Sequence, residues 1–170
     1  MWCVVHVGER QEQDMEAFVS GLLPQSLNAR CFHLTRNRKK KYEGQWRTVG
    51  EDLFPGYVFI DTDQPDRVYR ELKKAARPRL LFSDGEYVAS LENHEAALLE
   101  TIADKNGIVG ISRVTVSGDG TIRYLSGPLA NVRDRVRKVN LHKRIAEVEA
   151  SLLGRSQILY LGIEIEDTRG

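Results

Sequence analysis

The sequence has few of the features that mark a secreted, membrane-bound or disulfide-stabilised protein. Its 170 residues contain only two cysteines, Cys3 and Cys31, and no Cys-x-x-C pattern. We interpret both as reduced thiols, because two isolated cysteines do not make a disulfide framework. The apolar residues up to Val7 are too few for a signal-peptide core, and no apolar run approaches a membrane span. We therefore expect a cytoplasmic protein with no membrane partner.

The sequence also lacks the motifs of catalysis and of cofactor binding. It contains no glycine-rich phosphate loop, no Gly-x-Ser-x-Gly turn and no paired-carboxylate motif. Two cysteines and two histidines lie on early predicted strands, but Cys3 and His6 have opposite strand parity and the spacing fits no zinc site. We therefore predict a protein that is not an enzyme and needs no cofactor and no metal.

The first half of the chain predicts a mixed domain of helices and strands. Apolar residues at helical spacing alternate with short β-branched and aromatic runs. The predicted elements are a central strand at 2–7, a helix at 11–23, a strand at 29–35, a basic hairpin at 36–47, a strand at 57–60, a helix at 66–76, short strands at 80–82 and 87–90, and a helix at 93–104.

The most apolar run of this half is Leu53–Ile60, which is interrupted by Pro55-Gly56. Proline and glycine together predict a tight corner before a strand. Because strand side chains alternate, Tyr57 and Phe59 leave one face of that strand, and Val58 and Ile60, which suit a core, leave the other. The two aromatics need a cover, which is either a helix of the same domain or a partner protein.

The second half predicts short strands separated by turns. The candidate strands are 114–116, 121–125, 132–139, 145–152 and 158–165. Such spacing is typical of a small barrel or sandwich. The fold class is therefore α+β: an N-terminal α/β sandwich, with an antiparallel sheet flanked by helices, and a small five-stranded β-barrel. We place the domains at 1–106 and 119–170, joined by a short linker at 107–118.

Two basic segments are candidates for contact with nucleic acid. The first lies in the predicted hairpin, beside Tyr42 and Trp46, and suits non-specific contact with a phosphate backbone or a stacked base. A solvated loop is the simpler alternative. The cations of this segment are Arg36, Arg38, Lys39, Lys40, Lys41 and Arg47.

The second segment lies in the predicted barrel. A strand at 132–139 would place three arginines on one face, and the following turn adds further cations. Guanidinium groups bind phosphate and can reach guanine edges, so a structured RNA is a credible ligand. Pairing of the arginines with Glu147 and Glu149 on the next strand is the alternative. The candidate RNA-binding residues are Arg133, Arg135, Arg137, Lys138, His142, Lys143, Arg144 and Arg155.

These motifs together resemble the NusG family of transcription elongation factors. The opening Trp2 strand, the helix, the basic hairpin and the Phe-Pro-Gly-Tyr-Val-Phe sequence at 54–59 are similar to the NusG N-terminal (NGN) domain. Gly127-Pro128-Leu129 and the strands after it resemble the KOW motif of an SH3-like barrel. Asp134 stands where that motif usually carries glycine. The basic run at 140–146 is most similar to the LoaP antiterminator paralogues.

The resemblance implies partners for each surface. Phe54, Tyr57 and Phe59 would line a depression that docks on the clamp helices of RNA polymerase, and aromatic anchors usually dominate such interfaces. The cations at 36–41 would lie near upstream DNA, with the non-template strand a further possible contact. We expect a monomeric processive antitermination factor that binds polymerase and a nascent RNA hairpin and suppresses pausing and termination. The alternative is a general elongation factor whose KOW domain binds a protein, such as Rho or a ribosomal protein.

Overall fold

A computed structural model describes residues 2–7, 10–74 and 89–166 of the chain. The chain divides into two compact units. The first unit comprises Met1–Leu34 and Phe54–Ala96, and the second comprises Thr35–Leu53 and Ala97–Gly170. The predicted strand at 80–82, the first two residues of the strand at 87–90 and the last two of the helix at 66–76 lie outside the described residues.

The elements confirm the mixed α+β class. The α-helices are α1 (Glu12–Leu22), α2 (Pro65–Lys74) and α3 (Asn93–Ile102). The strands are β1 (Trp2–His6), β2 (Arg30–Phe32), β3 (Thr35–Tyr42), β4 (Gln45–Asp52), β5 (Tyr57–Asp61), β6 (Ala89–Ser90), β7 (Ile108–Val109), β8 (Ser112–Val116), β9 (Ile122–Ser126), β10 (Val136–Asn140), β11 (Ile145–Leu152) and β12 (Arg155–Ile165). Within the described residues, no helix is long and apolar enough to cross a membrane.

The first unit is built on a four-stranded sheet in the order β2-β5-β1-β6. The opening strand β1 is internal, as its continuous apolar sequence predicts, and it pairs antiparallel with β5 and β6. One face of the sheet carries Val5, Val58 and Ile60, which pack against Met15 and Val19 of α1. This face forms the main core of the unit, so the structural role predicted for Val58 and Ile60 is confirmed.

The second unit contains the basic hairpin. The strands β3 and β4 pair antiparallel around a two-residue turn at Glu43-Gly44, and β7 lies parallel to β3. Both turn residues have positive φ, 48° and 79°, which is the geometry that suits a tight hairpin. The predicted hairpin is therefore confirmed, and it lies in the second compact unit.

The rest of the second unit is a five-stranded sheet in the order β10-β11-β12-β8-β9. Its inner face is apolar, with Val148, Leu159, Leu161 and Ile163 buried. The number of strands agrees with the sequence, whereas closure into a KOW barrel stays a prediction. Within the predicted linker at 107–118 lie β7 and β8, which pair with β3 and β12 of this unit.

The strand expected at 132–139 begins later than predicted. Two 3-10 turns, Pro128–Asn131 and Arg133–Arg135, precede β10, and the second lies where the sequence predicted the first part of the strand. Leu129 and Val132 are buried at a spacing of three residues, which is the period of a 3-10 turn rather than that of a strand. Asp134 lies within the second turn and therefore needs no left-handed backbone.

Candidate polymerase and nucleic-acid interfaces

The corner before β5 is fixed by a buried carboxylate from α1. The Gly56 N–H donates to Glu12 Oε1 at 2.7 Å, and the Gly56 carbonyl accepts from the Val7 N–H at 2.6 Å. Gly56 has φ +85°, a conformation that side chains rarely adopt. Glu12 is buried, although the sequence alone would suggest that an acidic residue in the first turn of a helix is exposed to solvent. The pair holds the Pro-Gly corner and so sets where Tyr57 begins its strand.

The aromatic residues after this corner have different exposures. Phe59 is fully buried, where it packs against Trp2 at 5.9 Å and Phe32 at 6.0 Å between ring centroids. Phe54 is also buried, at 5.8 Å from Phe59. Both phenylalanines therefore pack within their own unit. This was one of the two alternatives considered for Phe59, the other being cover by a partner protein.

Tyr57 is the one of these three candidates that keeps accessible surface. It is partly exposed, and its ring lies 4.9 Å from that of His6 on β1. Trp2, Val4 and His6 share the face of Tyr57 and Phe59, as the β1–β5 register requires. Alternation along β1 and β2 could have placed Trp2 and Phe32 on the same face as Phe59, and so could have revealed this aromatic cluster from the sequence.

The basic hairpin is partly neutralised by a single acid. Glu51 of β4 contacts Arg36 at 3.2 Å, Arg38 at 3.6 Å and Lys40 at 3.6 Å. These arginine side chains are only 15% and 14% exposed, whereas Lys40 is 44% exposed. Arg36 is thus held within the unit, and Lys39, on the other face of β3, lies opposite Thr48. Glu51 was not identified from the sequence.

Replacing this acid should increase non-specific binding of nucleic acid. In Glu51→Gln the hairpin loses the carboxylate that draws three cations inward, so their attraction to phosphates increases. We expect an affinity for short duplex DNA about two- to fivefold higher, the range of a surface ion pair, with a steeper dependence on salt. Glu43→Gln, an equal charge change in the turn of the same hairpin, is the control. Equal gains in both variants would show that net charge alone is responsible.

The arginines at 133–137 do not line one strand face as predicted. Arg133 and Arg135 lie in a 3-10 turn, and Arg137 lies at an irregularity in the β10–β11 pairing, between Val136 and Lys138. The Arg133 side chain donates to the Ala130 carbonyl at 3.1 Å. This arrangement breaks the alternation on which the predicted RNA-binding face depended.

Arg137 instead pairs with Glu149 of β11, the alternative that the sequence had left open. The hydrogen bond from Arg137 lowers the pKa of the Glu149 carboxyl, and the charge of Arg135 lowers it further. Lys138 is exposed opposite Glu147, and Arg155 is exposed at the start of β12. This part of the predicted patch is therefore a mixed surface of both signs.

The turn at 141–144, between β10 and β11, remains strongly basic. His142 and Lys143 are exposed, and within the described residues neither side chain forms an ion pair. Arg144 has φ 57° and places its guanidinium 5.0 Å from the centre of the Trp46 ring. Such a distance is that of a cation–π contact. The turn therefore reaches the hairpin of the same unit.

Hairpin and turn together line an open cavity of about 450 Å³. We call it the basic cleft. It brings together residues that the sequence assigned to two separate surfaces, and it adds Trp46. The lining residues are Arg38, Lys40, Lys41, Trp46, His142, Lys143 and Arg144.

The cysteines have the properties of structural residues. Burial raises the pKa of the Cys3 thiol, and burial together with the charge of Glu16 raises that of Cys31 to about 12. Neither thiol is therefore activated as a nucleophile at neutral pH. In the part of the chain that the structure describes, no group of three or more His, Cys, Asp or Glu residues is placed to hold a metal ion.

Comparison with known proteins identifies the family. No curated protein matches the chain. A family model described as "Transcription termination factor nusG" matches residues 1–100. The matched segment includes β1, the hairpin and the Pro-Gly corner, and it covers more than half of the 170 residues. The chain therefore belongs to the NusG family of transcription elongation and termination factors.

Proposed function

We propose that this NusG-family protein is a processive antitermination factor of the cytoplasm. It contacts the clamp helices of RNA polymerase through the first unit and a structured nascent RNA through the second. By holding both, it keeps the polymerase in its elongating form and suppresses pausing and termination. Family membership supports the polymerase contact, and the observation that carries the RNA contact is the basic cleft.

The cleft supports RNA because its charges are accessible and held in place. Lys143 and Lys40 present ammonium groups, and the guanidinium of Arg144 is aligned on a tryptophan ring. Phosphate contacts from such groups supply most of the affinity for nucleic acid, and aromatic rings accept unpaired bases. The mixed surface around Arg137 and Glu149 supports RNA less well, because Arg137 already pairs with Glu149 there and acids lie among the cations.

A protein partner for the second unit is the second candidate. Ile158 and Tyr160 lie two residues apart on β12, so they share a face of the sheet, and both are about two-fifths exposed. Exposed aromatic and aliphatic side chains that share one face suit the core of a protein interface, where aromatic residues are enriched. This observation favours the general elongation factor, whose KOW domain would bind Rho or a ribosomal protein.

One experiment separates the two candidates. Tagged full-length protein is used to capture partners from lysate of its host, with and without ribonuclease treatment. If the antitermination proposal is right, RNA polymerase stays bound in both samples and a specific transcript is recovered only without nuclease. Recovery of Rho or a ribosomal protein that resists nuclease, with no enriched transcript, would support the second candidate instead.

Polymerase binding should depend on Tyr57. Truncation in Tyr57→Ala removes the accessible aromatic of the corner while Phe54 and Phe59 remain buried, so the unit should keep its fold. We expect retention on purified RNA polymerase to fall by about 5- to 30-fold, since aromatic anchors often contribute about 1–2 kcal/mol. Tyr69→Ala, at an exposed tyrosine of α2, is the matched control. Unchanged retention in Tyr57→Ala, or an equal loss in both variants, would remove Tyr57 from the interface.

A further inference from the structure

The hairpin and the turn at 141–144 form one continuous structure rather than two neighbouring surfaces. Arg38 Nη2 on β3 donates to the Lys143 carbonyl at 3.2 Å. On the other strand of the hairpin, Trp46 of β4 contacts the Arg144 guanidinium. Behind them, Gly162 of β12 lies so close to β3 that a Cβ atom there would be 2.8 Å from the Arg38 Cα. The basic cleft is therefore built from both segments at once.

The turn itself is fixed from within. The Asn140 side chain accepts the Lys143 N–H at 3.0 Å, and the Arg144 carbonyl accepts the Ile163 N–H at 3.0 Å. These bonds hold the backbone of the turn, while the Lys143 ammonium group remains exposed. A site whose frame is set before binding loses less entropy when a ligand arrives.

The size of the cleft suits one small ligand. Its volume of about 450 Å³ lies in the range of pockets that hold a single small molecule, such as one nucleotide. Five lysine or arginine side chains line the cleft. Among the described residues, the one carboxylate in ion-pair contact with them is that of Glu51, which is shared with Arg36. The charge favours a phosphate. Arg144 and Lys41 lie 5.0 Å and 5.6 Å from the centre of the Trp46 ring, yet Trp46 remains 40% exposed, so part of its side chain stays open to a planar base.

We propose that the basic cleft binds one unpaired nucleotide of the RNA, with its base against Trp46 and its phosphate at Lys40 and Lys143. The inference rests on the proposed function, because it assumes that the second unit binds RNA. It also links the two predicted nucleic-acid contacts. Arg38, Lys40 and Lys41 lie in the cleft, so the hairpin cannot bind upstream DNA through them while the RNA nucleotide is bound.

The test measures binding of the full-length protein to two labelled RNA hairpins with the same stem, one with a single-nucleotide bulge and one fully paired. Wild type should prefer the bulged hairpin. Trp46→Ala should weaken that binding by about 5- to 150-fold, the range that base stacking on an aromatic ring carries, and Trp46→Phe should restore much of it. Tyr42→Ala is the control, because Tyr42 is a 44% exposed aromatic at the tip of the same hairpin, outside the cleft.

Lys143→Gln provides a second variant that does not disturb the hairpin. Lys143 is exposed, so the fold should survive, and the affinity for the bulged RNA should fall with a shallower salt dependence. Short duplex DNA should compete with the bulged RNA in wild type. In Lys40→Gln, duplex DNA should displace the bulged RNA less effectively than it does in wild type.

The outcomes separate this inference from the function on which it rests. If wild type binds neither RNA hairpin, both the RNA half of the proposed function and the inference are wrong. If wild type binds RNA tightly but Trp46→Ala behaves like Tyr42→Ala, RNA binding stands and the cleft is not its nucleotide site. If single-stranded DNA of the bulge sequence binds as well as the bulged RNA, the occupant is not specific to RNA and the inference is overturned.

Discussion

Gly162→Ala should separate the basic hairpin from the sheet beneath it. The added Cβ atom would lie 2.8 Å from the Arg38 Cα and closer still to the Asn37 carbonyl oxygen, which is backbone and cannot rotate away. Gly162 also pairs with Ile145 in the β11–β12 ladder, so its own strand has little freedom to retreat. The hairpin must therefore move, at a cost of about 1–3 kcal/mol, as for other overpacked sites.

The displacement has a specific readout. The protein has two tryptophans, and Trp2 lies in the first unit, so the indole N–H signal of Trp46 in a ¹H–¹⁵N spectrum reports on the hairpin alone. In Gly162→Ala that signal should shift as the ring loses Arg144, and binding of the bulged RNA should fall although no charge has been removed. Gly110→Ala, where a Cβ atom meets nothing within 4 Å, is the control. An unmoved Trp46 signal in Gly162→Ala would refute the tight packing of β12 on β3.

Much of this site was accessible to sequence reasoning, because strand pairing follows simple rules. A two-residue turn at Glu43-Gly44 pairs Tyr42 with Gln45 and, counting outward, Arg36 with Glu51. The neutralisation of the hairpin by Glu51 was therefore predictable. The apolar parity that placed Val58 and Ile60 in the core worked for the same reason, since both follow from alternation along one strand.

The errors arose where contacts join residues far apart in sequence. Trp46 and Arg144 are separated by more than half of the chain, and no local pattern indicates that they meet. In the sequence Gly162 is an ordinary glycine of a strand, and only the structure shows that β3 packs closely against it. The arginines at 133–137 alternate like a strand, and only the buried positions of Leu129 and Val132 reveal the 3-10 turns. The sequence thus located the basic segments, but it did not indicate that the hairpin and the turn at 141–144 line one cleft.

Gly56→Ala should disrupt the corner that presents Tyr57. Alanine at φ +85° costs about 1–2 kcal/mol, and its Cβ atom would lie 2.9 Å from the Val7 carbonyl oxygen. Relief of that contact pulls Gly56 away from Glu12, and a buried carboxylate without its donor costs about 1–3 kcal/mol more. We therefore expect a clear loss of stability in the first unit, measured by thermal or chemical unfolding. Gly21→Ala in α1 has open space and should stabilise slightly, which gives a control of opposite sign.

Polymerase binding and stability together distinguish a displaced Tyr57 side chain, in Gly56→Ala, from a missing one, in Tyr57→Ala. Gly56→Ala keeps the Tyr57 side chain but alters the backbone from which it starts, including the Tyr57 N–H bond to the Phe54 carbonyl at 3.1 Å. Retention on RNA polymerase should fall together with stability, whereas Tyr57→Ala should lower retention with stability nearly unchanged. Glu12→Gln keeps an acceptor for the Gly56 N–H and should lose less of both than Gly56→Ala. If Gly56→Ala unfolds earlier yet binds polymerase as wild type does below its unfolding temperature, the corner stabilises the first unit but does not position Tyr57 for binding.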